Sequence, residues 1–208
     1  MGVHKDTIDL IDRAVAALGV DYGDLSMLEL GNQELRFREF DERIRGLAVN
    51  GRLPVKLYFT ILGVDHVSID LNGEDGALEV DLCEAVCLGH DRFDVVTNFG
   101  TSEHVYKQYE CFWNIYTQCR SGGMMIHEVP LVGDWTEHIC YYHYTEQFFK
   151  MLADACDGTV LELQTTGNRL DKHYNTKVIQ CVMQKTGPPQ FIGKEQFNAI
   201  LSEGAVRG

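Results

Sequence analysis

The chain has 208 residues, 45% of them hydrophobic, and 18 lysines and arginines against 31 aspartates and glutamates give a formal net charge of -13. That length suits a single domain, residues 1–208, with a core of its own, and the acidic balance argues against a nucleic-acid partner, because gripping a phosphate backbone takes clustered cations. No apolar run approaches the ~20 residues that cross a bilayer, the seven cysteines include no CxxC pair, and the chain starts on a polar stretch, so a soluble, reduced, cytoplasmic protein is expected.

Ile8, Ile11, Val15 and Leu18 recur at helical spacing between the caps Asp6 or Thr7 and the stop Gly19, which predicts a lead-in helix over 6–19. A strand ending Met27-Leu28-Glu29-Leu30-Gly31 follows. Leu35 to Val49 suits an amphipathic helix, Gly51 to Gly63 reads as a connection, and Val67 to Asp70 is a second strand. Turns at Asn72-Gly73 and Gly76 lead into a short strand over Ala77 to Leu82, and Phe93 to Asn98 is a fourth, buried strand. Val105, Tyr109, Phe112, Trp113 and Tyr116 mark a helix over Glu103 to Cys119, ended by Gly122-Gly123 before a fifth strand at Met124-Met125-Ile126. Gln147 to Ala155 is a further helix.

Val160 to Gln164 and Val178 to Gln184 read as the last two strands. The polar stretch between them has no apolar periodicity for a crossover helix, so they form an antiparallel hairpin. A tail is expected over 186–208. The pattern predicts an α/β, doubly wound, mostly parallel seven-stranded sheet with an antiparallel last strand. Ligands in such sheets bind beyond the carboxyl ends of the strands, near the switch in strand order, and Gly31, Asp70, Asp81, Asn98 and His127 all fall at such ends.

These segments, with Asn98-Phe99-Gly100-Thr101-Ser102-Glu103-His104 and Gly122-Gly123-Met124-Met125-Ile126-His127-Glu128-Val129-Pro130, resemble the class I S-adenosylmethionine-dependent methyltransferases, and in particular a bacterial subgroup often linked to sugar or surface-polysaccharide modification. The resemblance runs from Ser26 to Lys185 and implies a Rossmann-like methyltransferase fold with S-adenosylmethionine as cofactor. It places Glu29 and Gly31 at the methionine portion, Asp70 on the ribose diol, Asp81 with Leu82 beside the adenine, and Asn98 with Phe99 at the reacting end. One departure is visible: where the family has several glycines, Gly31 is followed by Asn32-Gln33-Glu34, which narrows the approach of a ligand to the backbone.

Half of the eight histidines, His104, His127, His138 and His143, fall around the fourth and fifth strands. A neutral imidazole can take a proton from an acceptor hydroxyl, and His127, just past the fifth strand, is the candidate base with Asn98 beside it. The competing account is a satisfied core histidine among the local aromatics. A metal held by His127, Glu128, Asp134, His138 and His143 is the weaker alternative, since the spacing is one step off a helical pair and no cysteine pair supports it. No metal is therefore expected. Glu103 reads equally as a capping acid or as a cleft-lining one.

The expected activity is methyl transfer from S-adenosylmethionine to an oxygen or nitrogen of a small acceptor, with a sugar-containing molecule as one class. A homo-oligomer is left open. Two alternatives remain: a non-catalytic binding or assembly protein on a degenerate methyltransferase fold, favoured by the missing glycines, and a nicotinamide-dependent oxidoreductase, disfavoured by the reversed last strand and the lack of GxGxxG.

Overall fold

In the computed structural model, residues 2–36, 44, 53–133, 140–167, 177–188 and 190–208 are described. In chain order they form β1 (Gly2–Val3), α1 (Lys5–Leu18), β2 (Ser26–Leu30), β3 (Glu34–Leu35), α2 (Val55–Ile61), β4 (Asp65–Asp70), β5 (Leu78–Glu79), β6 (Phe93–Phe99), α3 (Gln108–Gln118), β7 (Cys119–Pro130), β8 (Tyr142–Tyr144), α4 (Glu146–Ala155), β9 (Thr159–Gly167), β10 (Lys177–Gln184), α5 (Lys194–Gly204) and β11 (Ala205–Arg207).

Seven strands make one sheet in the order β5-β4-β2-β6-β7-β10-β9. β10 runs antiparallel to both β7 and β9, and the pairs β2–β4, β2–β6, β4–β5 and β6–β7 are parallel. This is the expected doubly wound sheet with its reversed strand. The order turns back at β2 and β6, so the crevice that ligands use in open α/β sheets lies above their carboxyl ends.

Successive side chains of a strand point to opposite faces, and both faces here are covered, which explains the near-continuous apolar runs. Leu28, Leu30, Val96, Met125 and Cys181 face a layer containing Phe112, Phe148, Phe149 and Phe197 from α3, α4 and α5. Met27, Val95, Met124, Ile126 and Val182 face the other layer, with Ile8, Ile11 and Val15 of α1 and Phe59 of α2. α1 ends where Gly19 takes a left-handed conformation (φ 69°) and its N–H bonds to Ala16 O at 3.1 Å. α4 starts on Thr145, whose hydroxyl accepts from Phe148 N at 3.2 Å.

Several expectations need correction. The tail over 186–208 contains α5 and β11. Phe197 of α5 is fully buried, with its ring 5.6 Å from that of Phe112, and β11 pairs antiparallel with β8. Phe197, Ile200 and Leu201 stand at helical i, i+3, i+4 spacing, so the signal was present in the sequence. The connection over 51–63 holds α2, and the third strand is confined to Leu78–Glu79. The helix before β7 ends at Gln118 rather than at the glycines. Gly123 lies inside β7, where a Cβ would meet Asp94 O, Arg120 O and Cys119 Sγ at 2.9 Å. Most of the helix expected over 35–49, together with Asp134, Trp135 and His138, lies outside the described residues. Among the described residues no helix is long and apolar enough to cross a membrane.

Candidate functional site

A cleft of about 330 Å³ opens at the carboxyl ends of β2, β4 and β6, lined among others by Gly31, Asp70, Asp81, Leu82, Thr101 and His104. Its floor is the turn after β2. Gly31 has φ +79°, and a Cβ there would meet Thr101 Oγ1 and, at 2.7 Å, Gln33 Nε2. The glycine is required both by the backbone and by the two side chains packed over it. Gly31→Ala should therefore cost on the order of 1–2 kcal/mol in a urea melt; an unchanged midpoint would mean that Thr101 and Gln33 yield freely.

The turn is pinned from both sides. Gly31 N donates to Ile69 O at 2.8 Å and Thr101 Oγ1 to Leu30 O at 2.8 Å. Beneath it, Gln33 N donates to Glu29 Oε1 at 3.1 Å, and Glu29 Oε2 is 3.4 Å from His66 Nε2. Glu29 is 1% exposed, and burial raises its pKa well above the ordinary carboxylate value. It shares the strand face of Met27, away from the cleft, so it supports the turn and does not reach a ligand there.

Asp70 ends β4. Its Oδ2 accepts from Asn32 N at 2.7 Å and its Oδ1 from Asn72 N at 3.0 Å. A carboxylate offers about four acceptor sites, so beside these two donors among the described residues Asp70, which lines the cleft, has capacity for about two more. Asn32, next to Gly31, donates its amide to Glu74 O at 3.1 Å and Asp75 Oδ2 at 3.0 Å. Asn32 thus ties the β2 turn to the loop after β4. Asp81 accepts from Cys83 N at 2.8 Å, which closes a tight turn against the cleft wall.

Asn98 and His127 lie behind the cleft. Ser102 N donates to Asn98 Oδ1 at 3.0 Å, which fixes the amide orientation, so Asn98 Nδ2 donates to Ser102 Oγ at 2.9 Å and to His127 Nδ1 at 3.1 Å. The His127 proton must then sit on Nε2. His127 is 1% exposed between the rings of Phe112 and Phe149, at 5.9 and 5.0 Å, and burial lowers its pKa to about 3. A base needs access to its substrate, and this imidazole has none. Phe99, 2% exposed, packs into the opposite layer with Met27 and Val95.

Of the residues singled out in the sequence, the cleft brings together Gly31, Asp70 and Asp81. Glu29 and Asn98 hold its loops, and Phe99 and His127 belong to the core. Leu82, expected with Asp81, and His104, singled out among the histidines, line it as well, and Gln33 and Thr101 line it without having been assigned a role. Thr101 and His104 lie in the segment after β6, where site residues of such sheets concentrate. A second cavity of about 420 Å³, between α3, α5 and β11, is lined by Tyr106, Lys107, Tyr142, Lys194 and Arg207. It is larger but lies away from the strand ends and contains none of the residues flagged above.

No protein-family model and no curated protein matches the sequence. Solved structures do match. A SAM-dependent methyltransferase from Methanosarcina mazei superposes with a TM-score of 0.60 at 10% identity, covering 90% of this chain and 100% of that one. The Burkholderia thailandensis 1,6-didemethyltoxoflavin-N1-methyltransferase, solved with 1,6-didemethyltoxoflavin and S-adenosylhomocysteine, matches with a TM-score of 0.57 at 15% identity, over 86% of this chain and 77% of that one. The [4+2]-cyclase SpnF matches with a TM-score of 0.55 at 11% identity, over 88% and 82%. The architecture is thus the Rossmann-like fold of these proteins. Because a cyclase shares it, the fold alone does not dictate methyl transfer, and the chemistry has to be argued from the site.

Proposed function

We propose that the chain is an S-adenosylmethionine-dependent methyltransferase acting on an oxygen or nitrogen of a small acceptor. The observation that carries this reading is the spare acceptor capacity of Asp70, at the end of β4 and lining a cleft whose floor is the Gly31 turn. A carboxylate so placed suits a ribose diol, and the cleft volume of about 330 Å³ lies within the range of small-ligand sites, about 300–1,000 Å³. Asp81 and Leu82 would flank the adenine, and the Gly31 turn would meet the methionine portion. When bound, the cofactor supplies an electrophilic sulfonium methyl. The residues of this chain would align the acceptor with it and keep water out. In this reading Asn98 holds the Gly100–His104 loop and takes no direct part.

A sugar-containing acceptor is the narrower form of the proposal and rests on the sequence resemblance alone. The test is calorimetric titration with S-adenosylmethionine and S-adenosylhomocysteine, with NAD as control. Micromolar binding of the first two is expected, and Asp70→Ala should weaken it by about 1–3 kcal/mol, roughly 5- to 150-fold. Unchanged affinity would remove Asp70 from the site. If a folded sample bound neither compound, the non-catalytic reading would replace this one.

A further inference from the structure

The larger cavity, of about 420 Å³, has a lining at odds with the charge of the chain. Acids outnumber cations 31 to 18 in the sequence, yet among the described residues this cavity gathers Lys107, Lys194 and Arg207 against one carboxylate, Glu110. Lys194 Nζ pairs with Glu110 Oε1 at 2.6 Å, and Lys107 Nζ pairs with Glu84 Oε1 at 2.6 Å. Arg207 differs from both. Its guanidinium carbon lies 6.0 Å from the Tyr106 ring and 5.9 Å from the Tyr142 ring, and among the described residues no carboxylate pairs with it. A guanidinium keeps its charge and offers five N–H donors in one plane, so this cavity has an uncompensated planar cation at its wall.

The arginine is held in place by the sheet. β11 sets Arg207 directly opposite Tyr142 of β8, and beyond it Gly208 N donates to Tyr141 O at 3.0 Å. Tyr142 is 6% exposed and lines the same cavity, but its hydroxyl finds no partner among the described residues. A buried tyrosine hydroxyl usually has one. Apolar surface completes the wall: Leu201 and Ala205 line it, with Tyr106, a ring 58% exposed that stands edge-on to Tyr141 at 5.6 Å.

We propose that this cavity is a second ligand site, for a small molecule built of a flat ring that carries a carboxylate or phosphate group. The oxyanion takes two parallel hydrogen bonds from the Arg207 guanidinium, the geometry in which arginine recognises such groups, and a further one from the Tyr142 hydroxyl. The ring packs on Tyr106 and Leu201. A volume of about 420 Å³ lies in the range of small-ligand sites, about 300–1,000 Å³. The Asp70 cleft and this cavity share no lining residue, although Val105 lines the one and Tyr106 the other. The proposal is thus independent of the methyltransferase reading.

The test is an NMR titration of the full chain with carbon-13-labelled tyrosine rings. Benzoate and phenyl phosphate are the probes, and phenol, inorganic phosphate and benzylamine supply the ring alone, the anion alone and the opposite charge. The Tyr106 and Tyr142 signals should shift saturably with benzoate, phenyl phosphate or both, at a Kd of about 1 mM or tighter, and the tighter of the two gives the anion the site is built for. The three controls should bind at least about tenfold more weakly. Arg207→Gln should weaken the preferred probe by about tenfold or more, and Tyr142→Phe by about two- to tenfold. The proposal is overturned if neither ring anion gives a saturable shift in the wild type, if phenol or inorganic phosphate binds as tightly as the ring anions, or if Arg207→Gln leaves the affinity unchanged. Displacement of the probe by S-adenosylhomocysteine would also overturn it, since the two sites would then be one. If S-adenosylhomocysteine does not bind at all, the methyltransferase reading fails, while the probe titration still decides the second site.

Discussion

Replacing Lys185 by methionine lowers the free energy of unfolding by about 3 kcal/mol. Lys185 is a fully buried cation, 0% exposed. Its Nζ donates to Asp91 Oδ1 at 2.7 Å, Tyr116 O at 3.0 Å and Cys119 O at 2.7 Å, which uses all three ammonium donors, and it sits 4.6 Å from the centroid of the Tyr116 ring. Its backbone bonds to Gly122 N and Gly123 O. One residue thus fastens the end of β10 to the junction of α3 and β7. Methionine fills most of the volume but leaves two buried carbonyls unpaired, at about 1–3 kcal/mol each, and this cost exceeds the gain from no longer burying a charge. Asp91, with 40% of its side chain exposed, regains water and adds little. A urea melt should show a lower midpoint at unchanged slope. A loss below about 1 kcal/mol would mean that water reaches these carbonyls.

The second large effect depends on pH. His127→Gln should become more stable relative to the wild type as the pH falls, by about 1.4 kcal/mol per pH unit below about 6.5. The folded-state pKa of His127, about 3, lies below that of the unfolded chain, about 6.5. Between those values the unfolded state binds more protons, so the wild type loses stability as the pH drops through about 6.5 and continues to lose it down to about 3. Glutamine keeps an oxygen for Asn98 Nδ2 and has no proton to gain. His66, lowered to about 4 by burial, behaves like His127. Glu103 works the other way: its folded pKa is raised, so its contribution is complete below the unfolded carboxylate value and is lost as the pH rises through about 8. Glu29 and Glu128, also raised by burial, share that sign. The difference between variant and wild type isolates the His127 contribution from all of these. Parallel stability curves between pH 7 and pH 5 would show that His127 reaches solvent, and would reopen its reading as a base.

The legible part of this protein was local. Ile8, Ile11 and Val15 announced α1, and the apolar runs at Ser26–Leu30, Asp65–Asp70 and Phe93–Phe99 announced three parallel strands. The missing crossover between Val160–Gln164 and Val178–Gln184 announced the reversed β10. α5 was legible too, since Phe197, Ile200 and Leu201 follow helical spacing; the two consecutive prolines at 188 and 189 before it masked the signal.

The sequence by itself determined which residues sit at strand ends, because hydrophobic runs and the glycines or acids that end them are properties of consecutive positions. Gly31, Asp70 and Asp81 followed from that and line the cleft. Only the tertiary structure decided which face each side chain takes. Glu29, Phe99 and His127 stand at or beside the same strand ends, yet pleating turns alternate residues toward opposite layers, and the helices that close each layer come from distant segments. His127 therefore lies between Phe112 and Phe149 of α3 and α4, while His104, on a loop free of that alternation, lines the cleft. Burial depends on what packs over a residue, and that is set by contacts far away in the chain.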